Sequence, residues 1–315
     1  MDTILVTGAD GFVGSALCEA LAASARRVRR AMRVARPGLT DAVATGDIGL
    51  DTDWRSALED VSSVVHLAAR THVLRETAAD PPAEYRRVNL DGTRKLAQMA
   101  ARAGVRRLVF MSSIKVNGEA TERPFTERDV PRPEDAYGCS KWETEQALAR
   151  VAADTGLEVA VLRPPLVYGP GVKGNFLRLL GVVARGTPLP LGSIVNRRSL
   201  VYVGNLVDAI VKVIDAPGAA GRTYLVSDGE DVSTPDLVRA LAQALGVKPR
   251  LLPCPPALLK FGAALAGKRA ELARLTGSLQ VDSAALRREL DWRPRFTLAQ
   301  VLAETARWYY SPSRA

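Results

Sequence analysis

Short apolar runs alternate with stretches of helical period along the first half of the chain. Thr3–Thr7 is an apolar run that ends in Gly8-Ala9-Asp10-Gly11-Phe12-Val13-Gly14, after which a helical pattern continues through Leu17 and Leu21. Further strands are predicted over Arg27–Val34, just before Gly46, over Val64–Ala69 and over Arg106–Phe110, the last running into Met111-Ser112-Ser113. Asn89-Leu90-Asp91-Gly92-Thr93 opens a helix to Ala103, and a longer helical pattern runs from about Asp135 to Asp154 before strand signals at Glu158–Leu162. Strand and helix in alternation predict an α/β chain built on a doubly wound parallel sheet. Arg163-Pro164-Pro165-Leu166-Val167-Tyr168-Gly169-Pro170 is a Pro/Gly-rich boundary. It divides the chain into residues 1–165 and a smaller C-terminal α/β part, 166–315, some segments of which are expected to pack back on the first.

In that second part Lys173-Gly174-Asn175-Phe176 begins a helix, and Arg197-Arg198 precede a strand and a helix over Asn205–Asp215. Ser233 with Asp236 reads as a helix cap. Trp292-Arg293-Pro294 precedes a last helix, with the tryptophan assigned to packing, and the tail from Ser311 to Ala315 is expected to be disordered.

Composition narrows the chemistry. The 315 residues, 47% of them hydrophobic, suffice for a large core. Lys and Arg number 43 against 34 acids, a net charge of +9 that suits anionic partners. The excess is arginine scattered along the chain, as at Arg26, Arg27, Arg29, Arg30, Arg86 and Arg87, without interleaved aromatics, which favours an anionic small molecule over nucleic acid. Cys18, Cys139 and Cys254 form no CxxC pair, as expected of a cytoplasmic protein. Neither His66 nor His72 has metal-ligand spacing to another ligand. Ile4–Val6 is too short for a signal core, and the apolar run Pro255–Gly267, interrupted by Lys260, is too short to span a bilayer.

The glycine turn after the first strand has the context of a phosphate-binding turn: Gly8 permits the tight bend, Gly11 the approach of a pyrophosphate and Gly14 the close packing of helix on strand. Residues 1–165 are therefore expected to bind a dinucleotide. The second strand ends Met32-Arg33-Val34-Ala35-Arg36 with no acid to accept from an NAD ribose, so Arg33 favours NADP or tolerance of both cofactors. Asp47 could reach the adenine amino group while Ile48 packs on the ring. His66, at the end of a buried strand, reads as a satisfied core group. Tyr137 and Lys141, four residues apart on one helix face, have a chemical reading, since an ammonium beside a phenol lowers its pKa toward the working range.

Taken together, TGADGFVG, GDI, VVHLAA, NLDGT, FMSSIKV, YGCSK and LRPPLVYGPG resemble, in order and spacing, the extended short-chain dehydrogenase/reductases of the NAD-dependent epimerase/dehydratase group. The resemblance implies a Rossmann-type sheet and hydride chemistry on a nucleotide sugar, with UDP-sugar as the expected partner and a homodimer as the compatible assembly. It makes Ser113 the hydroxyl that holds the substrate oxygen, Tyr137 the acid/base and Lys141 the ligand of the nicotinamide ribose. Cofactor contacts are implied at Gly8, Gly11, Phe12, Val13, Gly14, Arg33, Asp47, Ile48, Leu67, Ala68, Ala69, Asn89, Ser112, Tyr137, Lys141 and Pro164. Substrate contacts are implied at Lys115, Asn175, Arg198 in preference to Arg197, and Arg274.

Departures from the family pattern point to the reaction. Ile114 and Lys115 stand where dehydratases carry an Asp-Glu pair, and Leu166 stands where many epimerases carry an asparagine. A ribose pocket without an acid suits exchangeable NADPH. These features favour C4 reduction of a UDP-4-keto-6-deoxy-hexose or N-acetylhexosamine for bacterial surface polysaccharide, ahead of a UDP-sugar 4-epimerase with tightly bound NAD. A non-catalytic dinucleotide sensor is disfavoured because Ser113, Tyr137 and Lys141 are all retained.

Overall fold

In the computed structural model the described residues are 2–34, 36, 38, 39, 41–71, 78–267 and 269–311. Ala35 of the second-strand motif, His72 and the tail beyond Ser311 lie outside them. Ser311 itself follows the last helix, its N–H donating to Trp308 O at 3.1 Å.

The chain runs β1 (Thr3–Thr7), α1 (Phe12–Ala23), β2 (Arg27–Met32), β3 (Ala42–Ala44), α2 (Arg55–Leu58), β4 (Val61–His66), α3 (Pro81–Tyr85), α4 (Gly92–Arg102), β5 (Arg107–Met111), α5 (Ala136–Thr155) and β6 (Glu158–Arg163). It continues through β7 (Leu166–Tyr168), α6 (Gly174–Ala184), β8 (Leu200–Tyr202), α7 (Val203–Asp215), β9 (Thr223–Leu225), α8 (Thr234–Ala244), α9 (Pro256–Leu265), α10 (Arg269–Thr276), α11 (Ala284–Leu290) and α12 (Leu298–Tyr310). Seven strands form one parallel sheet in the order β3-β2-β1-β4-β5-β6-β9. All five residues of β1 are buried, as both faces of a central parallel strand require. One apolar layer joins β1 and β6 to α1, α7 and α11, and the other joins the sheet to α2, α4 and α5. The order reverses at β1 and β4, which opens a crevice at their carboxyl ends.

Three boundaries differ from those expected. β2 stops at Met32, where the Thr45 N–H donates to Met32 O at 2.9 Å and the Gly46 N–H to Arg33 O at 3.1 Å. β4 lies over Val61–His66, in register with the five residues of β1, and beyond it the Leu67 and Ala68 N–H groups turn onto Thr7 Oγ1 at 3.2 and 3.1 Å. The helix expected from Asn89 begins earlier, at Pro81, because Asp80 accepts from the Ala83 N–H at 3.1 Å and proline suits a first helical turn. A wider π turn, Arg86–Asp91, joins it to α4.

After residue 165, β7 and β8 pair in parallel as a separate ribbon, and a third apolar cluster lies among α6, α8 and α12. β9 instead completes the main sheet beside β6. Ser233 caps α8 through the Asp236 N–H, and Trp292 is buried in the first apolar layer, as expected of both.

Candidate active site

The glycine turn is cramped where a dinucleotide would need it to be. Gly8 has φ +64°, and a Cβ there would stand 2.9 Å from Ala68 N, while one on Gly14 would stand 2.0 Å from Gly8 O. Only glycine leaves room for both the bend and the helix that starts at Phe12. Beside the turn opens a cleft of about 710 Å³ at the carboxyl ends of β1 to β4, lined by Gly8, Arg33, Asp47, Ile48, Ala68 and Ala69 among others. The cradle and the cleft together fit a dinucleotide. One expectation is corrected here. An acid does stand in reach of the β2 terminus, since Asp47 Oδ1 lies 3.1 Å from Arg33 Nε, both side chains being exposed. It comes from the loop after β3, which pairing with β2 brings alongside.

Tyr137 sits in the first turn of α5, whose N-cap is Asp135, accepting from the Gly138 N–H at 2.7 Å. Gly138 is required there, because a Cβ would fall 2.9 Å from Lys115 O. Ser113 lies close enough to the Tyr137 phenol to oppose the upward shift of its pKa, and its Oγ accepts from the Lys115 N–H at 3.2 Å. Lys141, buried on the same helix face, donates from Nζ to Met111 O at 2.7 Å and stands 4.5 Å from the Phe110 ring centre and 5.8 Å from that of Tyr137. Burial brings the Lys141 ammonium down to about 7, against the opposing pull of Glu145. Burial also pushes the half-buried Tyr137 phenol up, reinforced by the Asp135 charge and opposed by Ser113. The expected lowering of the tyrosine by the lysine is not what the protein's own groups produce: burial disfavours both charged forms, raising the phenol and lowering the ammonium.

Several neighbours hold this pair in place. Asn89 is buried, with Oδ1 accepting from the Arg70 N–H at 2.8 Å and Nδ2 donating to Ser140 Oγ at 2.9 Å, so it ties the loop after β4 to α5. The Ser112 hydroxyl turns to Glu145, which also accepts from Arg163 Nε at 3.0 Å, and Arg163 Nη1 donates to Asn117 Oδ1 at 3.0 Å. Glu145 and Arg163 escaped the sequence reading; their only signal was an acid at i+4 from Lys141 and an arginine at a strand end. Pro164 O accepts from the Ile114 N–H at 3.0 Å and so closes β6 against the Ser113 segment. His66 is a neutral core group, as expected, between Thr7 Oγ1 at 2.7 Å and Thr93 Oγ1 at 2.8 Å, with burial pulling its pKa down to about 3.

Of the implied substrate residues, three meet in one cluster that reaches the Asp135 cap of α5. Lys115 Nζ pairs with Glu119 at 2.7 Å and with Asp135, Arg274 Nε lies 3.3 Å from Glu119, and Arg198 Nη1 donates to Arg274 O at 2.7 Å. Arg197 is exposed beside them. Asn175, exposed in the first turn of α6, shows no hydrogen bond to this cluster among the described residues. Phe12 lies on the far side of the glycine turn, 3.4 Å from where a Gly171 Cβ would be.

Residues 4–227 match the model of the NAD dependent epimerase/dehydratase family. The chain belongs to that family. It is 47% identical over 311 residues to UDP-glucose 4-epimerase of Vibrio cholerae, covering 96% of this chain and 94% of that one. It is 30% identical over 251 residues to N-acetyl-alpha-D-glucosaminyl-diphospho-ditrans,octacis-undecaprenol 4-epimerase of Escherichia coli O157:H7, covering 78% of this chain and 73% of the other. The solved structure of MoeE5 in complex with UDP-glucose and NAD superposes with a TM-score of 0.78 at 29% identity, covering 98% of each chain. The protein is therefore an NAD(P)-dependent enzyme of the extended short-chain dehydrogenase/reductase kind, with the Rossmann-type sheet that the motifs implied. Among the described residues no helix is long and apolar enough to cross a membrane, and no group of three or more His, Cys, Asp or Glu could hold a metal ion.

Proposed function

We propose that the protein is a nucleotide-sugar 4-epimerase acting on a UDP-hexose. The observation that carries this is the 47% identity to a UDP-glucose 4-epimerase across nearly the whole of both chains. This reverses the order favoured by the sequence, in which a 4-keto sugar reductase came first. Leu166 and the β2 terminus argued for the reductase, yet one position at the start of β7 weighs less than likeness over the full length, and the acid missing from β2 is supplied by Asp47. The relative of Escherichia coli carries its N-acetylglucosaminyl diphosphate on undecaprenol instead of uridine. A hexosyl diphosphate is the part common to the two relatives' substrates.

In this reading the turn from Gly8 to Gly14, the Asp47-Ile48 pair, residues Leu67 to Ala69 and Lys141 hold the dinucleotide, and residues 166–315 supply most of the sugar-nucleotide site. NAD, when bound, supplies a hydride acceptor and donor at its nicotinamide ring. Tyr137 moves the proton of the sugar 4-hydroxyl while Ser113, beside that phenol, holds the same oxygen. The buried Lys141 ammonium orients the ribose, and its charge favours the phenolate once the ligand side of the site is closed from water. Arg198 and Arg274 face the diphosphate, for which a planar permanent cation is suited. The protein works in the cytoplasm as a homodimer in this proposal.

The test is interconversion of UDP-glucose and UDP-galactose, followed by proton NMR of the anomeric signals, together with the nucleotide released on denaturation. Interconversion without added cofactor and release of stoichiometric NAD are expected. Consumption of NADPH on a UDP-4-keto-6-deoxy-hexose, with no interconversion of UDP-hexoses, would restore the reductase reading.

A further inference from the structure

α9 breaks the rule that a helix turns its apolar side inward. None of its residues is buried, and Leu258, Phe261 and Leu265 are 62%, 65% and 76% exposed. At positions i, i+3 and i+7 these three share one face. Leu252, just before the helix, is also exposed, whereas Leu259, Ala263 and Ala264 on the other side are partly covered. A water-facing apolar stripe of this kind marks a surface that something else covers.

The surrounding charge says what. Residues 245–276 contain six basic residues, Lys248, Arg250, Lys260, Lys268, Arg269 and Arg274, against one acid, Glu271. Lys248, Arg250, Lys260 and Arg269 are exposed. A second copy of the chain docking face to face would bring the two basic rims together, which like-charge repulsion opposes. An apolar face rimmed by lysine and arginine is instead the makeup of a helix that lies in the headgroup layer of an anionic membrane. The helix is ten residues long, too short to span and long enough to lie flat.

We propose that α9, with α10, seats the protein on an anionic lipid bilayer, with Leu258, Phe261 and Leu265 entering the headgroup–acyl boundary and Lys248, Arg250, Lys260 and Arg269 facing lipid phosphates. α10 reaches the cluster at the start of the catalytic helix, because Arg274 contacts both Arg198 and Glu119, and Glu119 and the α5 cap Asp135 both pair with Lys115. Docking through α9 and α10 therefore brings that cluster beside the bilayer. Resting on the hexosyl-diphosphate reading above, this is where a substrate whose diphosphate is esterified to a membrane lipid would be presented.

The full-length protein should float with phosphatidylglycerol vesicles at least about tenfold more than with phosphatidylcholine vesicles, and lose that preference at high salt. The double variant Leu258→Asp/Phe261→Asp should lower partition onto phosphatidylglycerol by roughly tenfold or more while leaving turnover of a soluble UDP-hexose unchanged. Equal flotation with both lipids, or a double variant that binds like the wild type, would overturn the proposal. So would light scattering that shows a dimer dissolved by the double variant with no vesicle binding in either protein, which would assign the face to a second copy. Flotation is read without turnover, so its failure and that of the epimerase reading are separable.

Discussion

Arg163→Met tests whether the catalytic helix is held by a buried charge pair. Arg163 closes β6, and Glu145 lies one turn after Lys141 on α5; both side chains are 5% exposed and bonded through Nε and Nη2. Methionine fills much of the same volume but leaves the Glu145 carboxylate with only the Ser112 hydroxyl. Stranding one member of a buried pair costs about 3–5 kcal/mol. The lost bond to Asn117 Oδ1 adds roughly 1 kcal/mol. The sum, about 4–6 kcal/mol, is a large share of the roughly 5–15 kcal/mol that folded domains possess. The assay is urea unfolding at pH 7 of the wild type, Arg163→Met and Arg163→Met/Glu145→Leu. The single variant should lose most of its stability, and the double variant should recover all but about 1–2 kcal/mol of it, since removing both charges leaves none stranded. A single variant within about 1 kcal/mol of the wild type would mean that the carboxylate is hydrated. A double variant as weak as the single would mean that shape, and not charge, sets the cost.

Two further outcomes follow from the site. His66 has its pKa lowered from 6.5 to about 3 by burial, so between those values the unfolded chain binds a proton that the folded chain refuses. Stability should be intact above about 6.5 and fall as the pH drops through that window, by an upper bound of roughly 4–5 kcal/mol from this group. In His66→Gln that limb should flatten, as read from urea midpoints at pH 4.5 and 6.5; parallel limbs in the two proteins would count against the assignment. Tyr137→Phe should lower epimerisation by at least about 100-fold while the NAD released on denaturation is unchanged, and a variant that keeps a tenth of the wild-type rate would remove Tyr137 from the proton transfer.

What could be read from the chain lay close together in it. The bend at Gly8, the close approach at Gly14, the Ser233 cap of α8 and the i, i+4 spacing of Tyr137 and Lys141 are each satisfied within a few residues, so the residue types announce them. The βα alternation fixed the class of sheet for the same reason. The errors concern distant partners. Arg33 was read without Asp47 because the two meet only when β3 pairs with β2, and Lys115 was read as a substrate contact without the Glu119 and Asp135 carboxylates that converge on it from a later turn and from the cap of α5.

The sequence by itself determined a dinucleotide-binding α/β sheet and the motif residues at its centre, because backbone conformation, helix caps and side-chain period are local requirements. Only the tertiary structure decided which charges are buried together, that β9 leaves its own half to complete the first sheet, and that Leu258, Phe261 and Leu265 stay outside the core. Burial is a property of what packs against a residue, and among the described residues nothing covers that face of α9.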